Sequence, residues 1–307
     1  MKLTKPKFWL YKSFFAYFFF PLTLVTYIIN LFKKLSFKKK ISIKTICVGN
    51  LYIGGTGKTS SVIEIHKILK KKIKTVLIKK KYQNQQDEID LLKKEGKVIS
   101  TDNRLNSLLY AQKKKFELAL LDDGLQQKNI AYDLKIVCFN SEEGFGNSFL
   151  LPAGPLRESP NELKKYSIAF INGEKKNKKL YKQIKSINKD IKIFEGKYKI
   201  KNLKNFNRNK EYLIFSGIGN PQEFENTLIK YKFKIRHKII YPDHYKISKY
   251  EIKNIKKIAK KLKLNIITTE KDYLRLRKTE INNIQFLKVN LNISKINELK
   301  KILFSYT

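Results

Sequence analysis

Acidic residues and arginine are what this chain has least of. It sets 26 Asp+Glu against 66 Lys+Arg, a formal charge of +40, and only six of those basic residues are arginine. A field of that sign draws polyanions in general: nucleic acid, anionic headgroups, phosphorylated small molecules. Without clustered arginine, however, there is no code for base edges, and no known nucleic-acid module is present, so no specific nucleic-acid partner is expected. The lysines come with abundant isoleucine and asparagine, which reads chiefly as a compositional bias spread over every solvated face. Cysteine is scarce too. Cys47 in "TICVGN" and Cys138 in "KIVCFN" lie in apolar runs without partners at metal-ligand spacing. That excludes a disulfide framework and a thiolate metal centre, and leaves two small core residues in a reducing compartment. Internal repeats and Ser/Pro-rich linkers are also missing. The 307 residues are 42% hydrophobic and 12% aromatic, enough for one large domain or two ordinary ones.

Residues 13–32, "SFFAYFFFPLTLVTYIINLF", carry no charge. As one helix they would rise roughly 30 Å, the thickness of a hydrocarbon core. The following "LFKKLSFKKK" offers no small-residue cleavage site, so a secretory signal is not expected. Lys2, Lys5, Lys7 and Lys12 precede the run, and Lys33, Lys34 and Lys38 to Lys40 follow it. Charge on both flanks sets no orientation, and a spanning and an in-plane helix both remain open. Residues 1–40 are expected to be a membrane-associated segment.

From residue 41 the chain alternates β-branched runs with helical stretches: strands "SIKTICVG", "IKTVLI", "KVIS" and "FELALLDD", separated by helices. Continuous apolar strands between helices predict a parallel sheet covered on both faces, extended by "DLKIVCFN" and "SIAFIN". Residues 175–210, containing "IKIFEGKYKI", read as a connection. A smaller set follows, with strands "EYLIFSG", "KIRHKII", "NIITTE" and "IQFLKVNL". The expected architecture is an α/β phosphate-loop NTPase-like parallel-sheet lobe over residues 41–205, with a second, smaller α/β C-terminal lobe over 206–307.

The first strand runs into "YIGGTGKT", residues 52–59. Strand, glycine-rich turn, Lys-Thr and helix are the order that phosphate binding needs. Gly54, Gly55 and Gly57 let backbone N–H groups approach anionic oxygens, and the helix that starts near Lys58 aims its positive end at the same place. Lys58 would pair with the β/γ-phosphates and the Thr59 hydroxyl would hold Mg2+. Tyr52, where the common pattern has glycine, stands farthest from the phosphates. With Ile53 and Thr56 these residues form the candidate ATP-binding loop. "LALLDDGLQQ" places Asp122 and Asp123 at the carboxyl end of an apolar strand, where ligands bind in open parallel sheets. One carboxylate would position Mg2+ and the other would orient a nucleophile or catalytic partner; which does which is left open. Arg157, in a chain that writes Lys almost everywhere, suggests a planar donor for a phosphate of ATP or of the acceptor.

These residues together resemble the tetraacyldisaccharide 4′-kinases. "VGNLYIGGTGKT" is similar to that family's phosphate loop, including its non-glycine first position, and "DDGLQQ" to its strand end. "LLPAGPLRE", "SGIGNPQEF", "YPDHY" and "TTEKD" follow in the family's order, so the resemblance covers essentially the whole chain. It implies transfer of the γ-phosphate of ATP to the 4′-hydroxyl of the tetraacyldisaccharide 1-phosphate precursor of lipid A. It implies attachment to inner-membrane lipids at their cytoplasmic face through the N-terminal apolar segment, and a monomer. "QDEI" resembles the family's acidic segment, which makes Asp87 the candidate base or hydroxyl-orienting carboxylate and Glu88 a Mg2+ contact. His244 in "PDHY" resembles the histidine paired with that carboxylate; the two would meet only if the lobes close. The chain departs from the family at "KKKY" (Lys79 to Tyr82) and at Gln127, where the family has "SRGY" and histidine. The rival readings are a regulatory phosphate-loop ATPase docked on membranes or nucleic acid, and a decayed kinase that binds ATP without transfer.

Overall fold

The computed structural model of the chain describes residues 5–82, 85–277 and 279–307; Lys2 of the N-terminal basic flank lies outside them. The chain begins with a 3-10 turn at Lys7–Trp9, α1 (Phe14–Phe18), a second 3-10 turn at Phe20–Leu22 and α2 (Thr23–Lys34). Then come β1 (Lys44–Gly49), α3 (Lys58–Leu69), β2 (Thr75–Lys80), α4 (Gln86–Lys93), β3 (Val98–Thr101), α5 (Arg104–Lys113), β4 (Leu118–Asp122), β5 (Leu134–Asn140) and β6 (Ile168–Asn172). The chain continues through α6 (Lys178–Ile187), β7 (Lys192–Ile200), β8 (Glu211–Ser216), α7 (Pro221–Lys230), β9 (Lys234–Ile240) and α8 (Lys249–Lys261). It ends with β10 (Asn265–Thr269), α9 (Glu270–Arg275), β11 (Ile284–Leu287), β12 (Val289–Ile293) and α10 (Ile296–Ser305).

These strands build two sheets, an eight-stranded one in the order β12-β7-β6-β5-β1-β4-β2-β3 and a four-stranded one in the order β11-β10-β8-β9. The pairings are parallel except for β12 on β7. In β1, Ile46 and Val48 enter one apolar core while Cys47 enters the core on the opposite face. That two-sided burial is why the strand reads as a continuous apolar run. Both cysteines are free and wholly buried, and burial pushes each thiol up to about 12. β1 also stands at a reversal of strand order, with β2, β3 and β4 on one side and β5, β6 and β7 on the other. The crevice beyond the carboxyl ends at such a point is where open α/β sheets bind ligands.

The smaller lobe does not extend to the C-terminus as expected. "IQFLKVNL" is two strands: β11 closes the four-stranded sheet, and β12 returns to the large sheet beside β7. β7 itself, the expected connection, is a nine-residue strand of the large sheet. Leu287 packs into the small lobe, whereas Leu291, Ile293, Leu299 and Leu303 join the core that holds Ile65 and Leu69 of α3. The run carries apolar residues along its whole length because it serves two cores in turn, and their pattern alone cannot show which sheet receives it.

The N-terminal expectation is also corrected. Residues 13–32 do not form one helix, and among the described residues no helix is long and apolar enough to cross a membrane. Pro21 lies in the 3-10 turn between α1 and α2; it lacks an N–H, and its ring excludes a regular helix through that point. The twelve residues of α2 rise only about 18 Å. Inner-membrane attachment through this segment is therefore not supported. The segment instead folds back on the large lobe. Ala16 is wholly buried, and the rings of Tyr17 and Phe20 meet Phe149 edge-on at 5.6 and 4.9 Å. Trp9 Nε1 donates to the Pro152 carbonyl at 3.0 Å and Asn30 Nδ2 to the Arg157 carbonyl at 2.8 Å.

If α10 is part of the large core, Leu299→Ala should cost about 2–5 kcal/mol in urea unfolding. A loss below about 0.5 kcal/mol, the level of a surface substitution, would show that the C-terminal return adds nothing to that core.

Candidate functional site

The loop after β1 is fixed from both sides before it reaches the helix. Tyr52 forms an antiparallel bridge with Leu156, the Ile53 N–H donates to the Pro155 carbonyl at 2.9 Å, and the Arg157 N–H donates to the Leu51 carbonyl at 2.8 Å. Asn50 Nδ2 closes the turn by donating to the Tyr52 carbonyl at 2.5 Å. The Tyr52 ring is 1% exposed and packs in the core, so this member of the expected ATP-binding set lies outside the cavity lining. Gly54 and Gly57 take φ of 120° and 76°, and Gly57 caps α3. A Cβ on Gly57 would meet Asn172 Nδ2 and Tyr198 Oη at 2.7 Å, so only glycine fits there. Asn172 Nδ2 holds the Thr56 carbonyl at 2.9 Å.

Lys58 and Thr59, at the start of α3, face the end of β4. Thr59 Oγ1 donates to Asp122 Oδ2 at 3.1 Å, and Lys58 Nζ stands 3.9 Å from Asp123 Oδ1. Asp123 takes a positive φ of 60°, held by its N–H donating to the Val48 carbonyl at 2.8 Å. Burial would raise its carboxyl, but Lys58, Arg157 and Lys79 hold it well below the usual range. Arg157 Nη2 donates to Asp123 Oδ1 at 2.9 Å and also to the Asn50 carbonyl and side-chain oxygen. In this arrangement Arg157 braces the acidic strand end against the loop while still lining the cavity.

Glu88, expected as a metal contact, is engaged otherwise. Lys79 Nζ donates to its Oε2 and Lys271 Nζ to its Oε1 at 2.6 Å, so both oxygens face lysine. Burial opposes ionisation, yet Lys271 and Lys79 hold the carboxyl well below its usual range. Lys79 also donates to Asp122 Oδ2 at 3.0 Å. The remaining Asp122 oxygen, Oδ1, is buried with no hydrogen-bond partner. Among the described residues no three His, Cys, Asp or Glu side chains gather as a metal cluster.

Asp87 precedes Glu88 in the first turn of α4 and meets the small lobe. Arg275 Nη2 donates to Asp87 Oδ2 at 3.0 Å, while its Nη1 donates to Asp272 Oδ1 and the Gly217 carbonyl. His244 Nδ1 lies 3.5 Å from Asp87 Oδ1, and its backbone takes φ of 56° with the N–H donating to the Gly217 carbonyl at 3.0 Å. That left-handed conformation is uncommon for histidine and turns the ring toward α4. Burial would raise the Asp87 carboxyl, but His244, Arg275 and Lys271 together draw it below the ordinary value. The sequence reading missed Lys79, Lys271, Arg275 and Asn50. The one signal that could have found some of them was the scarcity of arginine: Arg104, Arg157 and Arg275 all hold this region, Arg104 by donating to the Asp123 carbonyl.

Between the lobes these groups enclose a cavity of about 360 Å³. The phosphate loop forms one wall; Gly219, Asp243, His244 and Lys271 form the other; Leu287 to Leu291 line the crossing between sheets. A Cβ on Gly55 would meet the Asn220 nitrogen at 2.8 Å, so the lobes are in backbone contact over the loop. The place has room for an extended polyanion, with amides and Lys58 at one end and His244, backed by the buried Asp87, at the side.

A family model described as Tetraacyldisaccharide-1-P 4′-kinase matches residues 15–306. The chain is 48% identical to the tetraacyldisaccharide 4′-kinase of Pelagibacter ubique, over 96% of this chain and 95% of that one. It is 34% identical to the enzyme of the same name from Rickettsia canadensis, over 99% and 98%. Among solved structures, LpxK from Aquifex aeolicus in complex with ATP matches with a TM-score of 0.68, covering 95% of this chain and 97% of that one. At 21% identity that likeness bears on the fold.

Glu223, on α7 at the cavity wall, has a buried oxygen without a partner; burial, Glu142 and Glu174 push its carboxyl up to about 7. A folded-state value above the unfolded one means the fold prefers the protonated acid. Stability from this group is present below about pH 4.5 and lost as pH rises through about 7. Glu223→Gln should therefore raise Tm by about 2–4 °C at pH 8 and leave it nearly unchanged at pH 5. An equal shift at both pH values would refute a titrating Glu223.

Proposed function

Because the chain belongs to the tetraacyldisaccharide 4′-kinase family, we propose that its inter-lobe cavity transfers the γ-phosphate of ATP to the 4′-hydroxyl of a tetraacylated disaccharide 1-phosphate. It is a lipid-sugar kinase of lipid A biosynthesis. The observation that carries the reading is the meeting of Asp87 with His244, one from each lobe, at the side of a phosphate loop whose Lys58 faces the same cavity.

Phosphoryl transfer through a loose transition state asks the protein for position and charge more than for a strong base. The site is built in that sense. The loop amides and Lys58 hold the phosphate chain, and the positive end of α3 adds to them. Against its burial, Asp87 is kept ionised by His244, Arg275 and Lys271, so it orients the acceptor hydroxyl and takes its proton only as the new oxygen–phosphorus bond forms. The bond from the γ-phosphorus to the β-phosphate oxygen breaks, and ADP leaves with that electron pair. His244, against Asp87, offers the proton a second station.

Thr59, which lines the phosphate end of the cavity, and Asp122 behind it, whose Oδ1 is buried without a partner, have the oxygen donors that suit a hard divalent cation. Mg2+ held by these residues would supply positive charge to offset the negative charge that develops on transfer. Asp123, locked to Lys58 and Arg157, serves as the brace for both cations.

The test is transfer of γ-labelled phosphate from ATP to the tetraacylated disaccharide 1-phosphate in detergent micelles. The intact chain should label the lipid. Asp87→Ala and His244→Ala should each lose about 10²–10⁴-fold in kcat with KM for ATP little changed, and Lys58→Ala should lose both nucleotide affinity and turnover. Bound ATP without labelled lipid from the intact chain would rule out kinase activity and leave a nucleotide-binding protein.

A further inference from the structure

Lys79 is a buried cation for which phosphate binding and proton transfer have no use. Its side chain is 2% exposed, and its ammonium sits between two carboxylates from different elements, Glu88 of α4 and Asp122 of β4. The sheet itself fixes it there, because Lys79 on β2 pairs in register with Asp122 on β4. Asp122 Oδ2 receives both the ammonium, at 3.0 Å, and the Thr59 hydroxyl, at 3.1 Å. Two converging carboxylates beside the start of α3 make a place where oxygen ligands would ordinarily hold a hard divalent ion. Here an ammonium fills it.

The surroundings keep the ammonium in place. Lys271 covers only the other oxygen of Glu88. If Lys79 left, Glu88 Oε2 and Asp122 Oδ2 would face each other across a desolvated gap without their shared cation, the arrangement buried carboxylates tolerate least. Lysine has three N–H donors. Two go to these carboxylates, and Lys79 also lines the cavity.

We propose that Lys79 is a built-in cation that takes the position of a second divalent ion, so that the loaded enzyme carries a single divalent ion, at Thr59 and Asp122 Oδ1. The inference rests on the kinase reading only in requiring that nucleotide bind in the cavity. A lysine cannot dissociate, so this half of the charge compensation is independent of free metal concentration.

The experiment counts bound Mn2+ by electron paramagnetic resonance on the full chain saturated with a non-hydrolysable ATP analogue, with analogue binding measured separately by calorimetry. The native protein should bind one Mn2+ per chain, Lys79→Arg one, and Lys79→Ser two. Lys79→Met, near in shape but uncharged, replaces the Ser variant if thermal melts show that the latter is unfolded. Two Mn2+ in the native chain would overturn the proposal whatever the variants do. So would a single Mn2+ in both native and folded uncharged variants with analogue bound. Absence of analogue binding to the native chain would overturn the kinase reading itself, a result distinct from either count.

Discussion

Glu88 joins the two lobes through charge. One of its oxygens faces Lys79 from β2 of the large sheet and the other faces Lys271 from α9 of the small lobe. The residue before it, Asp87, repeats the pattern with Arg275. Ion pairs removed from water stabilise only when each partner is fully matched. The geometry of the cavity therefore hangs on whether one turn of α4 has its cations in place. Lys94 and Glu270, 2.7 Å apart on the same face, add a more exposed pair to the same seam. The positive end of the α4 dipole favours the two adjacent carboxylates as well.

Around this seam the chain departs from its own habit. It writes lysine almost everywhere, yet three of its six arginines gather at the site. Each does what a point charge on a flexible stem does poorly, which is to hold two or more acceptors in one plane. Arg157 spans Asn50 and Asp123, Arg104 spans the Asp123 carbonyl and Gln127, and Arg275 spans Gly217, Asp272 and Asp87. Where lysine is used inside the site, at Lys58, Lys79 and Lys271, it meets carboxylates at the rim of a phosphate-sized space. The overall positive charge is thus a background, and the site is made by a few cations whose directions are fixed.

The large parallel sheet could be read in the sequence because its strands are buried on both faces and appear as unbroken apolar runs between helices. The phosphate loop could be read because glycines, lysine and threonine fall between such a strand and a helix. The C-terminal return could not, since Leu287 and Leu291 look alike in sequence and enter different cores. Nor could the broken N-terminal helix, where length and apolarity suggested one helix, spanning or in-plane, and Pro21 with the contacts to Phe149 accompanies several short pieces. Lys79 was hidden for a different reason. In a run of three lysines nothing local marks the first as the buried one, and only the pairing of β2 with β4 brings it to Asp122. The approach of His244 to Asp87 was suggested by motif resemblance, because no periodicity reports a contact between lobes.

Tyr52 occupies the first position of the phosphate loop with a ring turned wholly into the core and its backbone bridged to Leu156. A glycine there would leave the start of the loop free to sample many conformations. The buried ring, the bridge and the Asn50 clasp remove that freedom when the chain folds, so the loss of conformational entropy is already complete when a nucleotide arrives. Ligand binding then has less disorder to suppress, and the affinity of the cradle is set more by its charges than by the work of assembling it.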